Sequence, residues 1–125
     1  MEQEPVRLGR LSKALEKALG VDFGEDVFVY VSEEALRLFA SRWADSYLRK
    51  LEEASNILRY PLYAAYDEKR QRLYLLKEYV TAEGFKKAAL EIAREGQWQL
   101  KDIFGLSPEK GKELGALFPI VPVIR

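Results

Sequence analysis

The sequence predicts an α+β domain, helices packed on a small antiparallel β-sheet, and three patterns lead there. Apolar residues recur at helical spacing from Leu8 to Leu19 and again from Leu36 to Leu51. Between them lies a β-branched and aromatic run of strand length, Val27-Phe28-Val29-Tyr30-Val31. Beyond them, five of the seven tyrosines fall between Tyr60 and Tyr79, in two strand-like runs around a loop near Asp67 to Gln71. Helices and a hairpin in this order suit an antiparallel sheet with helices on it.

The elements follow in chain order. Leu8, Leu11, Leu15, Ala18 and Leu19 predict a first helix over Leu8 to Leu19, stopped by Gly20. Val21 to Asp26 reads as a turn before the Val27–Val31 strand. Ser32 then caps a long helix reaching about Ser55, with Glu33 and Glu34 at its positive end. Its apolar stripe holds Leu36, Phe39, Trp43, Tyr47 and Leu51, which makes Trp43 and Tyr47 core positions first and ligand positions second. The tyrosine hairpin lacks an Asn-Gly or Asp-Gly turn, so the sequence does not fix its register. Thr81 is placed to cap a third helix over Ala82 to Arg94, closed by Gly96. Gln97 to Phe104, with Trp98 between two glutamines, reads as a short helical or irregular packing segment. Ser107-Pro108-Glu109 starts a last helix ending between Leu114 and Phe118. The apolar tail, residues 119–125, carries Pro119 and Pro122 and suits an edge strand or a docking element for a protein partner or a second copy.

Composition narrows the function. At 125 residues, 48% hydrophobic and 32% charged, the chain reads as one domain, residues 1–125, able to bury its own core. There is no cysteine and no histidine, so disulfides and thiolate or imidazole metal sites are excluded, and the commonest general base is missing. The glycines match neither a phosphate-cradling loop nor a dinucleotide fingerprint. The adjacent acid pairs Glu33-Glu34, Glu52-Glu53 and Asp67-Glu68 suit capping or solvated surface better than acid–base work. No enzyme activity, cofactor or metal is expected. Residues 1–5 carry no basic region followed by an apolar run, and no apolar stretch approaches the roughly 18 residues of a membrane span. A soluble cytoplasmic protein without a membrane partner is the expectation, and many Glu, Lys and Arg with no Cys fit a hot environment.

The positive reading comes from the hairpin. From Arg59 to Lys77, five basic residues (Arg59, Lys69, Arg70, Arg72, Lys77) stand against Asp67 and Glu68, a local excess of +3 in a neutral chain. Aromatic faces for bases beside cations for phosphates are what single-stranded nucleic acid needs. Alternation puts Arg59 and Tyr63, and Arg72 and Tyr74, on one face, and Tyr60, Leu62, Ala64, Leu73, Leu75, Lys77 and Tyr79 on the apolar one. Tyr63 and Tyr74 are the candidate stacking rings, and Arg59, Lys69, Arg70, Arg72 and Lys77 the candidate phosphate contacts. Trp43 and Tyr47 line the same cleft if the helix leaves a face open to it. Ordinary sheet packing accounts for the same tyrosines without function.

Two families resemble the chain. Val29-Tyr30-Val31-Ser32-Glu33 followed by Leu36 and Leu38 is similar to a segment of the small α/β domain that precedes the PUA domain in a family of ribosome-assembly factors. That likeness covers roughly Leu11 to Tyr79 and implies an RNA partner. The tyrosine–arginine hairpin, Trp43, the thermophile-like composition and the lack of catalytic residues together resemble ThermoDBP, thermophile single-stranded DNA-binding proteins with an aromatic cleft rimmed by basic residues. No heptads follow Phe118, so a core domain without that family's zipper is expected. Together these readings predict non-catalytic, sequence-tolerant binding of single-stranded DNA or RNA, DNA slightly favoured; a structural or protein-interaction subunit is the alternative.

Overall fold

Three serines set three helix starts, as local chemistry requires. The computed structural model describes residues 6–82 and 84–124. Residues 1–5, Glu83 and Arg125 lie outside the described residues, and so does the side chain of Tyr79. The Ser12 hydroxyl accepts the Leu15 amide (3.2 Å), that of Ser32 the Ala35 amide (3.1 Å), and that of Ser107 the Lys110 amide (3.2 Å). They open α1 (Lys13–Leu19), α2 (Glu33–Trp43) and α4 (Pro108–Leu117). Gly20 ends α1 at φ 67°, its amide donating to the Glu16 carbonyl.

Seven strands form one sheet in the order β1-β2-β6-β5-β4-β3-β7. They are β1 (Val6–Arg10), β2 (Phe28–Val31), β3 (Tyr63–Asp67), β4 (Arg72–Thr81), β5 (Gly84–Glu95), β6 (Gln97–Gly105) and β7 (Val121–Pro122). The β2–β6 pair is parallel and the other five are antiparallel. The α+β class stands, on a broader sheet than a single hairpin supplies. Helix α1 packs over β3 and β7, and α3 (Tyr47–Arg59) over β1, β4 and β5. The core lies beneath them, with Leu15, Val29, Val31, Phe39, Ile57, Leu58, Leu73, Leu75, Leu90, Ile92 and Leu100 at most 1% exposed.

Several local expectations are corrected. Leu8 lies in a strand, not at the start of a helix. The i, i+3 spacing of Leu8 and Leu11 suits either structure, and pairing with β2 decides it. Gly9 sits at a register shift in that pairing, where a Cβ would come 3.0 Å from Leu58 Cδ2 and oblige that side chain to give way. The long second helix is two helices. It breaks at Ala44–Ser46, where Ala44 takes φ 46°, and the Ser46 hydroxyl donates to the Trp43 carbonyl (2.8 Å). The helix expected over Ala82 to Arg94 is strand β5, and the backbone of Thr81 ends β4. Lys, Ala, Leu and Glu favour helix, but pairing with β4 and β6 on both sides overrides that preference. Gly96, at φ 77°, turns the chain between β5 and β6. Gln97 to Phe104 is strand β6, and Trp98 is a core side chain, 4% exposed, edge-on to Phe23. The tail supplies the edge strand β7, held on β3 by the Val123 amide donating to the Leu62 carbonyl (2.9 Å).

Candidate nucleic-acid interface

The β3–β4 register sorts the hairpin residues. Pairing runs Tyr63↔Leu76, Ala65↔Tyr74 and Asp67↔Arg72, so these six share the face turned away from α1 and α3. Ala64, Leu73 and Leu75 are buried on the helix face, as the alternation predicts. Tyr66 packs on the same core, edge-on to Phe23 (5.4 Å, 79°), and burial raises its pKa first, then Glu68. Tyr60 and Leu62, expected on that apolar face, are each 43% exposed, because they precede β3 in the connection from α3.

The outer face is not bare. After α4 the chain brings Phe118 onto Tyr74, ring centroids 6.0 Å apart at 19°. Burial raises the Tyr74 pKa first, and the nearby Glu91 carboxylate adds to it. Arg72 donates through Nη1 to Glu91 Oε2 at 2.8 Å. Stacking on Phe118 and pairing with Glu91 give Tyr74 and Arg72 structural employment.

Tyr63 differs: it is 42% exposed and lines a cavity of about 420 Å³ between the start of α4 and the end of the hairpin. Leu76, Leu106 and Ile120 give the cavity an apolar floor, and Lys77, Lys87 and Lys112 stand around it with Glu78. Strand β4 outruns β3 past Leu76, which leaves its edge open there, and Lys77, next to Leu76, turns its side chain to α3. Lys77 Nζ lies 3.4 Å from Asn56 Oδ1 and 5.9 Å from the centroid of the Tyr60 ring. Lys87 Nζ is 3.5 Å from Glu78 Oε1. Lys112 has no ion-pair or hydrogen-bond partner among the described residues. Lys87 and Lys112 therefore stand with one carboxylate beside an exposed ring, while the Lys77 ammonium lies against Asn56 of α3.

The remaining candidates lie elsewhere. Lys69 and Arg70 occupy the hairpin turn, about 14 Å from Tyr63 along β3 at the usual strand rise. Arg70 is tied there to Asp67, Nε to Oδ2 3.9 Å. Trp43 and Tyr47 flank the α2–α3 break in the helix layer. Trp43 is edge-on to Phe39 (5.1 Å, 81°), with Arg42 and Lys50 over its ring, and Tyr47 packs on the core. Arg59, at the end of α3, lines a different cavity. Of the sequence candidates, the cavity gathers Tyr63 and Lys77; Lys87 and Lys112 join them from segments whose sequence gave no binding signal.

Among the described residues no cluster of acidic side chains suited to a metal is present, and no helix is long and apolar enough to cross a membrane. Comparison of the chain with protein-family models, curated proteins and solved structures finds no match.

Proposed function

We propose that this protein binds single-stranded nucleic acid without catalysis, sequence-tolerantly and with DNA favoured over RNA, in the cytoplasm. The observation that carries the reading is the exposed Tyr63 ring beside an open apolar cavity rimmed by Lys87 and Lys112. A base enters against Tyr63 over Leu76, Leu106 and Ile120, and the flanking phosphates meet the lysines. Every base has a flat face, so stacking worth ~1–3 kcal/mol per ring selects single strands without selecting sequence. The neutral net charge suits reversible coating of a strand.

Salt tests this directly. Neutralising about two phosphates gives a log–log slope of affinity on salt near −1.4, roughly a sevenfold loss between about 50 and 200 mM. Anisotropy titration with labelled mixed-sequence DNA and RNA oligonucleotides measures it. Replacing Lys112 by Ala should flatten the slope by about 0.7. Absence of binding at the lower salt retires the proposal.

A further inference from the structure

A second cavity, of about 510 Å³, opens where β1 turns into α1 beside the end of α3. That volume falls in the range of small-molecule sites. Arg10, Lys13 and Arg59 line it together with Ser12 and Phe28, facing the carboxylates of Asp26 and Glu16. Arg10 is paired with Asp26 (2.7 Å) and Lys13 with Glu16 (3.7 Å), while Arg59 has no ion-pair or hydrogen-bond partner among the described residues. Three cations against two carboxylates leave one positive charge, and it belongs to an exposed guanidinium, the most strongly basic side chain.

The geometry points to a site for a phosphomonoester. Arg59 supplies a planar fork matched to two phosphate oxygens. Arg10 is already oriented: its guanidinium lies 5.6 Å from the centroid of the Phe28 ring, and Asp26 takes one Nη1 donor and leaves others to give. The Arg10–Asp26 pair is exposed, its side chains 59% and 71% accessible, so a doubly charged phosphate displaces that carboxylate at little cost; Lys13, 76% accessible, keeps the less accessible Glu16 (14%) and offers its remaining donors. The Ser12 hydroxyl accepts the Leu15 amide and still has its own proton to donate. The sequence singled out Arg59 for phosphate, and this cavity gives it company that the hairpin does not.

The inference stands independently of the strand-binding reading, although at most about 14 Å of extended chain separates Arg59 from Tyr63. The phosphate can come from a free nucleotide or from the end of a strand. Calorimetry with thymidine 5′-monophosphate and with thymidine, and anisotropy with an oligothymidylate of about ten nucleotides with and without a 5′-phosphate, separate these sources. The phosphorylated member of at least one pair should bind about tenfold more tightly, the effect of one charge-assisted contact. Preference for the monophosphate alone assigns a free nucleotide; preference confined to the oligonucleotide assigns a strand end. The preference should fade from about pH 7.5 to 5, as the dianion with pKa near 6 is protonated. Arg59→Gln and Lys13→Ala, both at exposed side chains, should each abolish the preference with the melting temperature unchanged. Equal affinity within both pairs, or a preference that survives Arg59→Gln, overturns the proposal. The oligonucleotide without phosphate reports on the Tyr63 cavity separately.

Discussion

Replacing Tyr63 or Tyr74 by leucine separates binding from packing. Both lie on the same face of the hairpin, yet Tyr63 is 42% exposed at a cavity and Tyr74 is stacked on Phe118 at 6.0 Å. Leucine retains much of the apolar contact and removes the flat ring, so each substitution tests the ring itself. Loss of one base stack, ~1–3 kcal/mol, makes Tyr63→Leu roughly 5- to 150-fold weaker for any oligonucleotide. Its cost in stability stays below about 1.5 kcal/mol, as for other near-volume-conserving changes. Tyr74→Leu loses the ring pair, ~0.5–1.5 kcal/mol beyond its area, and keeps wild-type affinity. At about 3–6 °C per kcal/mol for a domain of this size, its melting temperature falls by roughly 2–9 °C. Anisotropy with a mixed-sequence single strand and a thermal melt on the same preparations give both readouts. Wild-type affinity in Tyr63→Leu refutes the cavity as a base site. Weakened binding in Tyr74→Leu with an unchanged melt refutes the structural role of its ring.

Two further outcomes test the fold. Ala44 holds φ 46° at the α2–α3 break, so Ala44→Gly, which costs about 1 kcal/mol inside a helix, should instead stabilise by about 1 kcal/mol here, measured by urea unfolding. Tyr66 and Tyr74 have pKa values raised from 10.0, chiefly by burial. The unfolded chain therefore releases those protons first as pH rises. Their contribution is fully present below about pH 10 and is lost as pH climbs from there through the folded values. Tyr74→Phe should shrink that alkaline loss in a pH series of unfolding curves, and an unchanged alkaline slope would contradict the burial assigned to this hydroxyl.

Local chemistry was legible and long-range pairing was not. Each serine cap acts within three residues, so Ser32 and Ser107 announce their helices, whereas Ser12 lay unread inside the helix expected from Leu8. The tyrosine hairpin was equally readable, because its two runs alternate and adjoin. Strand β5 was hidden: Ala88, Leu90 and Ile92 are buried on one face and Ala89 and Ala93 on the other. With both faces covered, the polar–apolar alternation that marks a strand disappears, and helix-forming residues remain to suggest the wrong element. The break at Ala44 carries no glycine or proline to announce it.

The same division runs through the candidate site. The sequence by itself determined that no histidine or cysteine chemistry is possible, and that aromatic rings and positive charge concentrate between Arg59 and Lys77. Only the tertiary structure decided which of those rings meet solvent. Phe118 covers Tyr74, Glu91 neutralises Arg72, and the sheet register with the return of α4 brings Lys87 and Lys112 beside Tyr63. Residue type fixes what a side chain is able to do. Exposure and company depend on contacts between distant segments, which neither propensity nor spacing along the chain encodes.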